Sequence, residues 1–204
     1  REVFSSVASR YDLMNDLMSG GVHRLWKDAF VDWLNPQPGM AVLDVAGGTG
    51  DVAFRVAAAG GPGTRVTVAD INTEMLAVGR ERAAKARRAI EFTEANAEAL
   101  PFADKSFDAV TIAFGIRNVP QIDVALREIH RVLKPGAHFI VLEISEPDHF
   151  PWKQLFSLYF KVILPLTGRL ISGDRHAYQY LPDSVGAFPR GTQFLDRMAA
   201  SGFT

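Results

Sequence analysis

The 204-residue chain contains no cysteine, which excludes disulfides, thiolate metal ligands and a cysteine nucleophile, and which is compatible with a reducing compartment. It also has no run of the ~18 apolar residues that a membrane-spanning helix needs. Its net charge of -1 and isoelectric point near 6.6 show no excess of basic residues. Because proteins that bind nucleic acid usually carry a basic surface, no nucleic-acid partner is expected.

Metal-binding patterns are missing as well. The five histidines show no HExxH or similar spacing, so we expect no metal site. One basic run, at residues 80–88, has helical spacing and is typical of a solvated helix face, with contact to anionic lipid headgroups as the alternative. With 48% hydrophobic residues, the chain is long enough for one sizeable core, and its length favours a single domain.

Apolar runs of strand length recur along the chain and are separated by helical spacing. The predicted strands are 42–46, 65–70, 89–95, 107–114 and 137–145, and the clearest helices between them are 73–88 and 122–133. Residues 134–136, Lys-Pro-Gly, are expected to end the second helix as a turn. This alternation predicts an α/β fold with a doubly wound parallel sheet, in which ligands bind beyond the carboxyl ends of the strands.

Segments of different character flank this core. Residues 1–35 have helical spacing. Residues 150–170 are apolar nearly all round and are interrupted by Pro165. Burial in the core and contact with an apolar substrate or a membrane surface remain equally open for this second segment.

The stretch VLDVAGGTGD, residues 42–51, places three glycines between a buried strand and a helix that Asp51 is expected to cap. Such a turn brings the backbone close to a ligand. Val45 stands where the dinucleotide fingerprint G-x-G-x-x-G has its first glycine, so that fingerprint is incomplete. Asp44 is expected to fix the turn through backbone hydrogen bonds.

Polar residues follow the next two strands. Asp70 lies twenty residues beyond Gly50, where a carboxylate can accept hydrogen bonds from both ribose hydroxyls. This favours a nucleoside-type ligand, and the alternative for Asp70 is a cap of the helix that starts near Thr73. Asn96 and Ala97, after the third strand, are placed to contact the edge of an adenine.

Taken together, seven segments resemble the S-adenosylmethionine-dependent methyltransferases of the UbiE/MenG family, the COQ-type quinone C-methyltransferases. The segments are VASRYDLMNDLMSGGVHRLWK, VLDVAGGTGD, DINTEML, ANAEALPFADKSFD, TIAFGIRNV, RVLKPG and YQYLPDSVGAFP. The resemblance implies a Rossmann-like class I methyltransferase domain over 1–204, with a helical lid at 1–35, a cofactor-binding core at 40–145 and an apolar substrate-side segment at 150–190. The final strands of such a sheet are expected beyond the sequence given.

The resemblance implies S-adenosyl-L-methionine as the cofactor, and the acceptor is a ring carbon of a polyprenylated benzoquinol or naphthoquinol in ubiquinone or menaquinone synthesis. The cofactor-binding residues it implies are Asp44, Gly47, Thr49, Asp70, Ile71, Met75, Asn96, Ala97 and Ala113. Three positions depart from the family pattern. Ala113 replaces a frequent serine and leaves a backbone contact there, Ala137 replaces the second glycine of KPGG, and His176 stands where serine often precedes YxYL.

The implied catalytic residues are Arg117, Asn118 and Tyr11. A ring carbon becomes a competent nucleophile when a neighbouring hydroxyl, with a pKa near ~10, loses its proton. A guanidinium at Arg117 would stabilise that anion, although a surface ion pair is the alternative for this residue. Asn118 would hold the hydroxyl or its loop, and Tyr11 would line the site as part of a lid.

The resemblance also implies a cytoplasmic protein at the membrane surface, or on the matrix side of the inner membrane in a mitochondrion, with a homodimer or a biosynthetic complex as further partners. Two other functions remain open from the residues alone. One is a nicotinamide-dependent reductase on the same scaffold, since fold does not settle function. The other is a non-catalytic cofactor-binding scaffold of a quinone-biosynthesis assembly.

Overall fold

Strands and helices alternate along the chain, as the apolar runs predict. The computed structural model describes residues 19–147, 149–159, 184–189 and 191–204. In chain order the elements are α1 (Val22–Leu34), β1 (Ala41–Val45), α2 (Asp51–Ala59), β2 (Arg65–Asp70), α3 (Thr73–Ala86), β3 (Ile90–Glu94), β4 (Phe107–Ala113), a 3-10 turn (Ile116–Asn118), α4 (Ile122–Val132), β5 (Leu133–Leu142), α5 (Trp152–Leu158) and α6 (Thr192–Ala200).

Within the described residues, five strands form one parallel sheet in the order β3-β2-β1-β4-β5. The chain winds outward from β1 in one direction to β3 and then returns to continue with β4 on the other side. The strand order therefore reverses between β1 and β4, and a crevice opens there beyond the carboxyl ends of the strands. This confirms the doubly wound α/β fold.

A hydrophobic cluster connects α1, α2 and one face of the sheet. Phe30 and Val31 lie one helical turn before Leu34 on α1, and all three are buried with Val52 and Val56 of α2. A fully buried side chain of this kind contributes roughly 1.5 to 3 kcal/mol relative to an exposed one. The second part of the predicted helical segment 1–35 is thus a helix packed on the core, and residues 1–18, with Tyr11, lie outside the described residues.

The link between α4 and β5 differs from the prediction. β5 already pairs at Leu133, opposite Phe107, and the next pair is His138 with Ala109. Because the two strands have unequal numbers of residues between these pairs, the register shifts and the Lys-Pro-Gly residues lie within an irregular strand. Gly136 has a φ of 76°, a value that favours glycine. The predicted turn after α4 is wrong, and the residues form a bulge instead.

The backbone divides into two units, one reaching Glu143 and including Met198–Thr204, the other comprising Ile144–Arg197. In the second unit, no residue of α5 is buried. The centroids of the Phe188 and Phe194 rings lie 5.1 Å apart.

Residues 160–183, with His176, lie outside the described part. No helix in the described part is long and apolar enough to cross a membrane. The division into segments 1–35, 40–145 and 150–190 stays a prediction.

Candidate active site

The glycine-rich turn lies between β1 and α2, as predicted. The Gly50 N–H donates to the Gly47 carbonyl oxygen at 2.8 Å, which closes the turn. Gly50 has a φ of 82° and occupies the N-cap position of α2, so that Asp51 is the first helical residue rather than the cap. The prediction that Asp51 caps the helix is therefore wrong. The N-cap position has a left-handed backbone conformation, which the glycine at position 50 adopts without steric cost.

Two positions of the turn have no room for a side chain. A Cβ atom on Gly47 would lie 2.5 Å from Oδ2 of Asp44, and one on Gly48 would lie 2.6 Å from Cε of Met75. Met75 is buried beside the turn. The backbone is consequently bare at the carboxyl end of β1, where a ligand can approach it closely.

Asp70 holds this turn in place. Its Oδ2 accepts a hydrogen bond from the Gly48 N–H and its Oδ1 accepts one from the Asn72 N–H, both at 2.8 Å. Burial raises the pKa of Asp70, and the backbone N–H groups of Asn72, Gly48 and Ile71 oppose that rise. The helix cap considered for Asp70 is wrong, because the Asn72 side chain caps α3 by accepting from the N–H groups of Glu74 and Met75.

Asp44 does not fix the turn, contrary to expectation. Its Oδ1 accepts a hydrogen bond from the Thr111 hydroxyl at 2.8 Å, because the two residues are register partners on β1 and β4. Its Oδ2 is buried and has no hydrogen-bond partner within the described structure. Burial raises the pKa of Asp44 to about 7, although the Thr111 hydroxyl and Lys27 oppose it. The site therefore contains a carboxyl oxygen that can still accept a hydrogen bond or meet a positive charge.

Lys27, which the sequence reasoning missed, joins α1 to the start of α2. Its ammonium donates to Oδ2 of Asp51 at 2.8 Å, and the lysine is only 5% exposed. Burial would raise the pKa of Asp51, but Lys27 and Arg55 lower it overall. The sequence signal that could have identified Lys27 is its position three residues before Phe30, on the apolar face of a predicted helix.

Thr49 is buried in the turn, and Arg82 of α3 donates to its hydroxyl at 3.2 Å. The Arg82 guanidinium also lies 5.3 Å from the centroid of the Phe54 ring. Most of the basic run 80–88 is exposed, as expected for a solvated helix face. Among its basic residues, Arg82 is partly buried, because its side chain reaches the glycine turn.

The segment after β3 lies beside Asp70. The Ala95 N–H donates to the Asp70 carbonyl oxygen at 3.0 Å. Asn96 is exposed, and its Oδ1 accepts from the Glu98 N–H at 3.0 Å. Of the remaining predicted cofactor-binding residues, Ile71 is exposed while Ala97 and Ala113 are partly buried. All of them follow or end strands at one edge of the sheet.

A second tight turn follows β4. Phe114 has a φ of 57°, which is rare for a residue with a side chain. Its N–H donates to the Leu142 carbonyl oxygen at 2.7 Å, which joins the ends of β4 and β5. A Cβ on Gly115 would lie 2.6 Å from Cβ of Ala46, so the turns after β1 and β4 are in contact.

Arg117 lies in the 3-10 turn and forms an ion pair with Glu143, the residue after β5. The ion pair considered as the alternative for Arg117 is thus present, but its side chains are only 8% and 5% exposed, so the pair is buried and does not lie on the surface. The sequence reasoning missed Glu143, for which the available signal was a carboxylate at the end of an apolar strand. Asn118 ends the same turn, and its N–H donates to the Gly115 carbonyl oxygen at 3.0 Å.

The strand order, the glycine turn and the acidic residue at the end of β2 define a class I S-adenosylmethionine-dependent methyltransferase. A crystal structure of such a methyltransferase from Thermotoga maritima shares this fold, with a TM-score of 0.69 and 20% identity over 100% of this chain and 81% of that one. The chain belongs to the ubiE/COQ5 methyltransferase family, whose model matches residues 1–204.

Curated relatives agree with this assignment. The ubiquinone/menaquinone biosynthesis C-methyltransferase UbiE of Bradyrhizobium diazoefficiens is 59% identical over 99% of this chain and 82% of its own length. The UbiE protein of Nitrobacter hamburgensis is 57% identical over 98% of this chain and 81% of its own length. The cofactor is S-adenosyl-L-methionine, as predicted, and the reductase and scaffold alternatives are not supported.

Proposed function

We propose that this enzyme transfers a methyl group from S-adenosylmethionine to a ring carbon of a polyprenylated quinol, in the biosynthesis of ubiquinone or menaquinone. The match of the family model to residues 1–204, together with relatives at 59% and 57% identity, is the observation that carries this proposal. The exposed backbone and the acidic groups at the carboxyl edge of the sheet support it.

The residues present fit a cationic nucleoside ligand. Gly47 and Gly48 allow close approach of the ligand to the backbone. A positive charge near the unpartnered oxygen of Asp44 would favour the ionised form of this carboxyl group. Backbone N–H groups do not use all the lone pairs of the Asp70 carboxylate, and the remaining acceptor capacity would serve the ribose hydroxyls. The residues proposed to hold the cofactor are Asp44, Gly47, Thr49, Asp70, Ile71, Met75, Asn96, Ala97 and Ala113.

When bound, S-adenosylmethionine supplies an electrophilic methyl group on a sulfonium. The protein has to align the acceptor carbon with it and exclude water, and positioning of this kind supplies about 7 to 11 kcal/mol in favourable cases. Arg117 would stabilise the negative charge that develops on the acceptor hydroxyl, since a guanidinium stays protonated and donates hydrogen bonds. Asn118 would orient that hydroxyl, and Tyr11 would line the site.

We further propose that the second unit contacts the membrane in which a polyprenyl tail dissolves. Four large apolar side chains at residues 149–159 are 53% to 80% exposed, namely Phe150, Trp152, Leu155 and Leu158. The same stretch contains Lys153 and no acidic residue, which suits an interface with anionic headgroups. The protein would thus lie on the cytoplasmic surface of the membrane, and a dimer or biosynthetic complex stays a prediction.

Methyl transfer can be tested with purified protein, labelled S-adenosylmethionine and demethylated benzoquinols and naphthoquinols. We expect ring-methylated product, and cells that lack the protein should accumulate the unmethylated quinone. If neither acceptor class is methylated and the quinones of those cells are unchanged, the proposal is wrong.

Membrane contact can be tested by flotation with vesicles of anionic lipid. The double variant Trp152→Ser, Leu155→Ser should bind less protein than the wild type, because insertion buries apolar area. Leu195→Ser is the matched control, since Leu195 is 60% exposed on α6, outside this stretch. Equal flotation of all three proteins would contradict the membrane-contact proposal.

A further inference from the structure

Glu143 is a buried carboxylate with no direct role in the proposed methyl transfer, and it contacts Arg117 at two atoms. It accepts from Nη1 of Arg117 and, at 3.4 Å, from the Arg117 backbone N–H. Nη1 of Arg117 also donates to the Phe114 carbonyl oxygen at 3.0 Å. The Glu143 carboxylate thus contacts both the guanidinium and the backbone of Arg117.

The surrounding backbone is itself well fixed. Ala113 and Leu142 are register partners at the ends of β4 and β5, and the Phe114 N–H bonds to the Leu142 carbonyl oxygen. Glu143 is the next residue after Leu142. The backbone of Glu143 is therefore held next to the end of a sheet strand, which is a rigid element, whereas Arg117 lies on a short turn.

Stability alone does not account for this pair. Buried ion pairs are on average no more stabilising than apolar residues of the same volume, because both charges lose their hydration. Other ion pairs in the described chain are more exposed, such as Lys85 with Glu81, at 75% and 65%. A buried ion pair can instead serve to hold a functional charged group in one orientation.

We propose that Glu143 is a positioning residue: it holds the Arg117 guanidinium in one orientation and influences methyl transfer only through Arg117. This inference rests on the proposed function, in which Arg117 stabilises charge on the acceptor. Without Glu143, the arginine side chain would lose this buried ion pair and would be held less firmly in its orientation.

The kinetic test compares Arg117→Ala, Glu143→Ala and the double variant. Loss of a charge-stabilising donor lowers kcat by about 100-fold or more, and we expect this for each single variant. The double variant should be no slower than Arg117→Ala, because residues that act as a unit are not additive. Affinity for S-adenosylhomocysteine, measured by calorimetry, should change less than about threefold, unlike the effect of a general structural defect.

Several outcomes would overturn the positioning role. These are an unchanged kcat in Glu143→Ala, multiplied losses in the double variant, or a loss of S-adenosylhomocysteine affinity as large as the loss of kcat. If Glu143→Ala does not fold, Glu143→Gln keeps the shape of the side chain and the same results are expected. Glu81→Ala is the control, because it breaks an exposed ion pair far along α3.

A second measurement does not depend on the acceptor. Phenylglyoxal labelling of arginines, followed by mass spectrometry, should modify Arg117 faster in Glu143→Ala than in the wild type, with Arg131 unchanged as internal reference. Equal labelling of Arg117 in both proteins would refute the positioning role even if the enzyme methylates a quinol. Absence of methylation in the wild type, with faster labelling in the variant, would instead contradict the proposed function alone.

Discussion

Replacement of Asp44 by asparagine should make the stability of this protein less dependent on pH. Burial raises the pKa of Asp44 from 3.8 to about 7, a difference that corresponds to roughly 4 kcal/mol. Between about pH 4 and pH 7 the folded protein keeps a proton that the unfolded chain has released. The unfolded state then binds fewer protons, so the free energy of unfolding falls as pH rises.

Asparagine has nearly the shape of a protonated aspartate and no charge to bury. The stability of Asp44→Asn minus that of the wild type should therefore increase by roughly 3 kcal/mol between pH 5 and pH 8 and then level off. Urea unfolding at unit steps of pH measures this difference. Asp32→Asn, at an exposed aspartate of α1, is the control for loss of a carboxylate outside the core. A flat difference for Asp44→Asn, or one that falls with pH, would refute the account of Asp44 as a buried carboxyl group with one unpartnered oxygen.

The same variant reports on the cofactor site. If a sulfonium binds near Asp44, it lowers the pKa of that carboxyl, and the wild type releases protons on binding S-adenosylmethionine near pH 7. Calorimetry in buffers of different ionisation enthalpy should detect this release. It should be absent in Asp44→Asn and smaller with S-adenosylhomocysteine, which has no sulfonium. Equal proton release in both proteins would remove Asp44 from the cofactor site.

Two further predictions concern the ends of the glycine turn. Asp70→Ala should weaken cofactor binding by about 1.5 to 3 kcal/mol, the range for hydrogen bonds to a charged group, and an unaltered Kd by calorimetry would refute the ribose contact. Lys27→Met should destabilise the fold by roughly 3 kcal/mol at pH 7, because it leaves Asp51 without its buried partner. Since Lys27 holds the pKa of Asp51 below its ordinary value, this cost should shrink as the pH falls below about 4. Lys85→Met, which breaks an exposed pair, is the control and should change the free energy of unfolding much less in urea unfolding.

The backbone layout follows from local patterns that a single sequence contains. β2 has the predicted bounds 65–70, since an apolar run ends there at a charged residue. α3 begins at the predicted Thr73, one residue after the asparagine that caps it. The fold class needs only such elements and their alternation. The start of β5 was not predictable in this way, because its first pair depends on the register with β4.

The side-chain partners within the site depend on contacts that sequence spacing does not reveal. Asp44 and Asp70 both follow apolar residues near a strand end, yet Asp44 meets Thr111 of a neighbouring strand and Asp70 meets the turn. Arg117 and Glu143 are 26 positions apart, and their pairing follows from the adjacency of β4 and β5. Buried charge is paired in general, but the identity of the partner follows from topology.

The contact between Gly115 and Ala46 limits how this enzyme can be re-engineered. Any larger residue at position 115 would meet the Ala46 side chain and push apart the loops that follow β1 and β4. A library aimed at new methyl acceptors should therefore keep these two positions constant and vary side chains farther out. Such a library would change the side chains around the site, while the loops after β1 and β4 keep their mutual contact.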